Sequence, residues 1–225
     1  MADHRNIIHM APFMTDTRHP SIREVEGYWD AIRSGQLVPR RSDVDPRGIE
    51  RSLEFAFILE RIAPGIARLR IAGSHLTDLM GMEVRGMPLS TFFAPADRAG
   101  AGDLLEQVFA TPAKVELALV SEAGVGKPQI DARMILLPMK SDLGDISRAL
   151  GCLSTRGEIG RAPRRFMLGD SKVSPLLRPA LPEDAPATTD MGDPAPLEGM
   201  AEPPRSFTPR QDPRPYLRLV HTTDD

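Results

Sequence analysis

The sequence predicts an α+β domain with a five-stranded antiparallel sheet and short helices inserted between its second and third strands. Three observations lead to this fold class: two apolar runs joined by a Pro-Gly turn, a middle region with helical spacing of apolar residues, and three later segments in which apolar and polar residues alternate. Helices inserted into an antiparallel sheet in this way collect on one of its faces.

The first two predicted strands form a hairpin. Glu54–Glu60 is a short apolar run bounded by charge, and the turn after it contains Pro64 followed by glycine, which tolerates positive φ. In the next run, Ala67–Ile71, the alternation predicts Leu69 and Ile71 on one face of the sheet and both arginines on the other.

The middle region is predicted to be helical. Ser74 is placed to cap a short helix over His75–Met80, and Gly81 stands where a left-handed C-terminal cap belongs. A second helix is predicted over Asp97–Phe109.

Alternation then returns and predicts the last three strands. The third strand contains Val115, Leu117 and Leu119, the fourth spans Gln129–Met139, and the fifth spans Arg148–Ser154. The apolar residues predicted to share one face of the fourth strand are Ile130, Ala132, Met134 and Leu136.

An amphipathic helix is predicted before the sheet, over Ser21–Ser34, with Ser21 as its cap and Gly35 as its stop. Asp45-Pro46 is predicted to begin a further helical turn through Ser52. The helix is expected to cover the open face of the sheet, or to contribute to a dimer interface as well. Its apolar stripe consists of Ile22, Val25, Trp29 and Ile32.

Composition divides the chain into a flexible N-terminus (1–20), one domain (21–155) and a Pro-rich, largely disordered tail (156–225), with roughly 170–212 the least ordered part. Half of the 22 prolines follow residue 170. The β-prone Pro215–Val220 is either a random terminus or a strand that pairs with a sheet edge. Four arginines after the last strand are interpreted as solvated linker charge, or as a docking site for an anion or a partner: Arg156, Arg161, Arg164 and Arg165.

Charge and cysteine content exclude several classes of protein. The net charge of −3 argues against a nucleic-acid binder that relies on general electrostatics. A single cysteine excludes an internal disulfide and favours a reducing, cytoplasmic location. We expect no signal peptide, because Met1–Thr17 lacks a charged region followed by an apolar core. We expect no membrane span, because no apolar run approaches the roughly 20 residues that a span needs.

Residues 21–155 resemble the PAS domain, and most of all a branch of small alphaproteobacterial proteins first described as a domain of unknown function. The segments that carry the resemblance are Tyr28-Trp29, Pro39–Pro46, Leu53–Glu60, Arg70–Ser74, Gly81–Gly86 and Pro95–Arg98. The resemblance implies a sensor or adaptor whose sheet holds a small ligand against its helices and which dimerises through a flanking helix. Because only the Pro-rich tail follows, the output is expected to act in trans on a signalling protein.

The resemblance suggests cofactors that the residues disfavour. A flavin photosensor needs a reactive cysteine on a helix of the middle region, whereas Cys152 lies in the last predicted strand. A haem sensor takes an axial histidine from the long helix, and Asp97–Phe109 contains none. The cofactor is therefore unknown, no metal site is expected, and His75 is assigned either a surface or capping role or a ligand contact.

A candidate ligand pocket follows from the predicted sheet. Its walls would be apolar residues that are equally explicable as core: Phe57, Leu69, Met80, Phe92, Leu105 and Met134. Arg70 would either pair with Glu60 or a carboxylate of the first helix, or face the pocket and bind a carboxylate or phosphate.

These observations predict a non-enzymatic sensor or adaptor of bacterial signalling. One alternative is a ligand-free interaction scaffold, and a less favoured one is a small acid–base enzyme. A large sealed pocket would favour the sensor, and a solid core would favour the scaffold. We assign no catalytic residues, because no converging carboxylates are evident in the sequence.

Overall fold

Three α-helices, four 3₁₀ helices and six strands occur in residues 18–176, the part of the chain that the computed structural model describes. The α-helices are α1 (Pro20–Ile32), α2 (Ser74–Met80) and α3 (Arg98–Ala110). The 3₁₀ helices span Arg41–Asp43, Pro46–Phe55, Leu89–Phe92 and Pro95–Asp97. The strands are β1 (Ala56–Ala63), β2 (Ile66–Ala72), β3 (Ala113–Ser121), β4 (Asp131–Met139), β5 (Arg148–Arg156) and β6 (Phe166–Pro175).

The strands form one antiparallel sheet in the order β2-β1-β5-β4-β3-β6. Its inner face packs against α2 and α3, and its outer face packs against α1 and the Pro46–Phe55 segment. Alternate residues of β4 enter the two cores, with Met134 in the inner core and Ile135 in the outer core. Helices therefore cover both faces, and α1 provides the cover on the face that the central helices leave open.

The buried stripe of α1 holds this helix on the sheet. Val25 and Trp29 are fully buried, and Trp29 Nε1 donates a hydrogen bond to the Pro138 carbonyl oxygen at 3.0 Å. The helix begins at Pro20, because proline is well suited to the first position of a helix. Ser21 therefore lies buried inside the first turn, and the prediction that it caps the helix was wrong.

Two other predicted caps had different outcomes. The Asp45 side chain accepts a hydrogen bond from the backbone N–H of Arg47 at 3.0 Å, which confirms the predicted cap of the Pro46–Phe55 segment. Gly73, and not Ser74, is the N-terminal cap of α2, so the predicted role of Ser74 was wrong. Gly81 has φ +69° and ends α2 as expected.

The sheet has six strands rather than the five predicted. Residues assigned to the tail form β6, which pairs with β3 from Ser121↔Phe166 to Ala113↔Pro175. The apolar signal of β6 is weak because the strand lies at the edge of the sheet, and only Phe166 is fully buried. The remainder of the tail, including Pro215–Val220, lies outside the described residues.

Arg164 is fully buried, so the interpretation of this arginine as solvated linker charge was wrong. Its guanidinium donates hydrogen bonds to four acceptors: the carbonyl oxygens of Glu122, Pro128 and Ile159, and Ser121 Oγ. Its backbone N–H donates to the Leu79 carbonyl oxygen at 2.7 Å. Burial lowers the pKa of Arg164. The side chain fixes the segment before β6 to the end of β3 and the β3–β4 connection, and the backbone N–H fixes it to α2.

An irregularity in β2 changes which residues share a face. The pairs Ile58↔Ile71 and Leu59↔Leu69 leave Arg70 as the extra residue of a β-bulge. Leu69 consequently lies in the inner core, whereas Ile71 is 50 % exposed on the outer face. The prediction that these two apolar residues share a face was wrong, because simple alternation does not anticipate a bulge.

Glu60 lies at the centre of a cluster of three arginines on the outer face. Its carboxylate forms ion pairs with Arg70 and Arg148, and accepts from Arg68 Nε at 2.9 Å. The hydrogen bond from Arg70, together with those from Arg148 and Arg68, lowers the pKa of Glu60 to about 2, against an opposing effect of burial. The pairing of Arg70 with Glu60 is one of the two alternatives that the sequence left open.

The free edge of β2 is partly occupied by the chain that follows α2. The Leu69 N–H donates to the Met87 carbonyl oxygen at 2.9 Å, and the Gly86 N–H donates to the Leu69 carbonyl oxygen at 2.7 Å. Gly86 has φ +85°, a conformation that favours glycine.

We predict that Arg164→Met lowers the free energy of unfolding by about 3–5 kcal/mol, because it leaves several buried acceptors without a donor. Arg161→Met is the matched control, since Arg161 is exposed and its replacement should change stability by less than about 0.5 kcal/mol. Urea unfolding followed by the fluorescence of Trp29, the single tryptophan, measures both variants. Equal midpoints for the two variants would contradict the structural role of Arg164.

We predict that Glu60→Gln changes the acid limb of the stability profile. The pKa of Glu60 is lower in the folded protein, about 2, than its ordinary value of 4.5. Its contribution to stability is therefore present above pH 4.5 and is lost as the pH falls towards 2.

Urea midpoints of wild type and Glu60→Gln should accordingly differ at neutral pH and converge across this range. Glu50→Gln, at an exposed position, should follow the wild-type curve throughout. A difference between wild type and Glu60→Gln that persists unchanged to pH 2 would exclude the linkage.

Candidate functional site

A cleft of about 510 Å³ opens on the outer face of the sheet, between the Pro46–Phe55 segment and strands β1 and β2. We call it the outer cleft. Its floor is a row of three side chains on neighbouring strands, because Ile58 of β1 pairs with Leu150 of β5 on one side and with Ile71 of β2 on the other.

The opposite wall of the outer cleft is the Pro46–Phe55 segment, which presents Pro46, Ile49 and Leu53 to the cleft. This segment is kinked at Ile49, where φ is −130° and ψ is 31°. Leu53 is 44 % exposed and Ile71 is 50 % exposed, so an apolar mouth faces solvent.

Helix α1 holds this wall in place through polar contacts. The Tyr28 hydroxyl accepts from the Asp45 N–H at 2.7 Å and donates to the Asp45 carbonyl oxygen at 3.0 Å. Ser52 Oγ donates to Glu24 Oε2 at 2.6 Å. Gly48 allows the Tyr28 ring to lie against the segment, because a Cβ at this position would be 2.1 Å from a ring carbon.

Polar groups border the outer cleft at different points. Arg41, Glu54 and Ser74 contribute to its lining. Within residues 18–176, no carboxylate forms an ion pair with the Arg41 guanidinium. The cluster around Glu60 continues from the floor, two residues along β1 from Ile58.

The residues predicted to line an inner pocket pack together in the inner core. At most 3 % of each side chain is exposed, and the set comprises Phe57, Leu69, Met80, Phe92, Leu105 and Met134. A second pocket beside Leu105 has a volume of about 10 Å³, which is room for one water at most. Phe57 also borders the outer cleft. A ligand contact by any of the six remains a prediction.

His75 connects α2 to the end of β5. Its Nε2 lies 3.0 Å from Thr155 Oγ1, and its ring meets the Phe55 ring edge-on, with 4.8 Å between centroids. Burial lowers the pKa of His75, with the charges of Glu54 and Asp78 acting in the opposite direction. These contacts describe a histidine in a packed environment close to the wall of the outer cleft.

The four residues of α1 that were predicted to form a dimer interface differ in how far they are buried. Val25 and Trp29 are committed to the sheet of the same chain, whereas Ile22 and Ile32 are half-buried. A dimer contact through α1 remains a prediction and would depend on the two half-buried residues.

Cys152 is buried in the outer core, and burial raises the pKa of its thiol. No group of three His, Cys, Asp or Glu side chains able to hold a metal occurs in residues 18–176. In the same residues, no helix has both the length and the apolar character required to cross a bilayer.

Sequence reasoning missed the outer cleft, although one signal was present. Pro46, Ile49 and Leu53 recur at intervals of three and four residues, which indicates an apolar face on a segment interpreted only as a helical turn. The position of that face against Ile58 and Ile71 depends on strand register, which the sequence does not specify.

Comparison with known proteins identifies the family. A sequence profile described as the PAS domain matches residues 17–154. No curated protein matches the chain. Among the solved structures that match is the light state structure of the blue-light photoreceptor Aureochrome1 LOV, with 13% sequence identity, a TM-score of 0.37, and coverage of 50% of this chain and 88% of that chain. Because the profile spans more than half of the sequence, the chain belongs to the PAS domain family.

Proposed function

We propose that this protein is a non-enzymatic sensor or adaptor of bacterial signalling that binds a small ligand in the outer cleft and acts in trans on a separate signalling protein. PAS domains are in general sensor modules of signalling proteins, which gives the starting point. The observation that carries the proposal is the outer cleft itself, a concave and mainly apolar site of about 510 Å³.

The size and composition of the outer cleft support ligand binding. Small-molecule sites are concave, have volumes of roughly 300–1,000 Å³, and combine apolar walls with a few polar groups. The outer cleft has this composition, with Ile58, Ile71 and Leu150 as its floor and three polar residues in its lining.

A ligand-free interaction scaffold is the second candidate. The observation in its favour is the dense inner core, where a sensor with an enclosed ligand would need space. The exposed Leu53 and Ile71 would then be contacts for a partner protein rather than for a small molecule.

The lowered pKa values of two carboxyl groups fit the proposed non-enzymatic role. Acid–base catalysis at neutral pH favours carboxyl groups whose pKa values are raised within a cleft. In the described part of the chain, Glu60 and Asp145 have displaced pKa values, and both are lowered: Glu60 by its arginines and Asp145 mainly by a hydrogen bond from Ser141.

A cytoplasmic homodimer completes the proposal. The single cysteine is buried, which suits a reducing compartment. Dimerisation would use the half-buried residues of α1, Ile22 and Ile32.

We predict that the purified full-length protein carries a small molecule that is lost on denaturation, and that Ile71→Trp abolishes this cargo. Ile71 lies at the mouth of the outer cleft, so an indole there should obstruct it, and tryptophan is well tolerated in strands. Native mass spectrometry, compared with the denatured mass, detects the cargo and gives its mass.

Ile66→Trp is the matched control for this experiment. Ile66 lies on the same strand and is 46 % exposed, but it does not line the outer cleft. Cargo retained by Ile66→Trp and lost by Ile71→Trp would support the proposal. A wild-type protein without cargo would favour the scaffold, and cargo retained by both variants would exclude the outer cleft as its site.

A further inference from the structure

We infer that the outer cleft binds an amphipathic anion, with an apolar body on the row Leu150–Ile58–Ile71 and one anionic head at Arg41. This inference rests on the proposed function, since it specifies the ligand class of the same cleft. Three features carry it: the guanidinium of Arg41, which forms no ion pair with a carboxylate of residues 18–176, the excess of arginines next to the floor, and the separation of acidic from basic groups along β1.

Arg41 lines the outer cleft and extends from a backbone that is held in place by hydrogen bonds. Its N–H donates to the Lys140 carbonyl oxygen at 2.9 Å, and Arg40 forms a bridge to Lys140 beyond the end of β4. Asp43, the acidic residue of the same 3₁₀ turn, accepts from the Arg40 N–H at 2.8 Å and forms no ion pair with Arg41. The half-buried guanidinium of Arg41 is therefore available for a carboxylate or phosphate that enters the cleft.

The arginines around Glu60 reinforce this preference. Glu60 follows Ile58 on the same face of β1, about 7 Å along the strand. Three guanidiniums, from Arg68, Arg70 and Arg148, share the single carboxylate of Glu60. Each guanidinium has five N–H donors, and one carboxylate offers about four acceptor sites, so most of these donors face solvent or a ligand.

The other acidic groups leave the arginine cluster around Glu60 with a net positive charge, and they make the two ends of the outer cleft differ in charge. The charge of Arg148 contributes to the lowered pKa of Asp145, so Asp145 lies near this cluster. The positive charges of Arg41 and of the three arginines around Glu60 therefore stand against two carboxylates, those of Glu60 and Asp145. Glu54 lies at the opposite end of β1, near Gly73 and α2. The chain as a whole has a net charge of −3, so this positive region is local and opposite in sign to the whole molecule. Such a field favours an anionic head at the arginine end of the cleft.

The test compares two probes of equal chain length, decanoate and 1-decanol, by amide chemical shifts of the ¹⁵N-labelled full-length protein. We expect decanoate to shift the amides of Arg41, Ile58 and Ile71, and to bind at least about tenfold more tightly than the neutral decanol. Arg41→Gln should weaken decanoate binding by about tenfold, because it removes a charged hydrogen-bond partner, and should leave decanol binding unchanged.

Arg51→Gln is the matched control, since Arg51 is exposed on the Pro46–Phe55 segment and does not line the cleft. Equal affinity for both probes, or an Arg41→Gln variant that binds decanoate like wild type, would overturn the anionic head while leaving the outer cleft as a ligand site. Shifts confined to the inner core around Leu69 and Met134, or no binding of either probe, would overturn the ligand site as well.

A further measurement tests whether a second copy of the chain, rather than a small ligand, occupies the outer cleft. If Ile71→Trp converts a dimer into a monomer in sedimentation equilibrium while decanoate binding is absent in the wild type, the cleft is occupied by a second copy of the chain, and the inference fails.

Discussion

The other features of the structure depend on one constraint, which is that the apolar residues on the outer face of the sheet must be shielded from water. A helix is about 10 Å wide and covers roughly two strands spaced by about 4.8 Å. α1 lies on β4 and β5, where both faces of the strands are apolar. β3 needs little cover because Lys114 and Glu116 occupy its outer face, and Lys114 pairs with Glu26 of α1. The Pro46–Phe55 segment is the element that shields the apolar outer residues of β1 and β2 from water. The outer cleft is the space between this segment and the two strands.

The arginines of this protein differ in how their charges are compensated. Arg164 is removed from water and is held by carbonyl oxygens and a hydroxyl, so its loss would leave buried acceptors without donors. Arg68 and Arg70 are 40% and 48% exposed, so water screens their attraction to Glu60 and each pair contributes modestly to stability. Arg41 has neither compensation from the carbonyl oxygens nor a carboxylate in the described residues. The way in which each guanidinium is compensated thus separates the structural role of Arg164 from the binding role proposed for Arg41.

The sequence predicted the elements whose signals are local. Alternation was sufficient to assign the buried face of β3, since Val115, Leu117 and Leu119 all enter the inner core, but β4 is buried on both faces. It failed where the structure depends on distant partners. β6 has few apolar residues and is held by pairing with β3. The segment that leads into β6 is fixed by the buried Arg164, a residue that composition assigned to solvent. The bulge at Arg70 is set by pairing with β1, and this bulge directs Ile71 into the cleft, so the candidate site could not be located from the pattern of β2 alone.

The contact of residues 86–88 with β2 bears on how this protein can associate with others. An open strand edge invites another chain to add a strand, a route to both specific complexes and aggregation. Leu69, in the middle of β2, already has its N–H and carbonyl oxygen bonded to Met87 and Gly86. The other edge, β6, carries Asp170 and Lys172 and ends at a proline, which has no N–H to donate. The described edges of the sheet are therefore poor templates for strand addition, and the helices that cover its two faces carry most of the surface through which this domain can meet another protein.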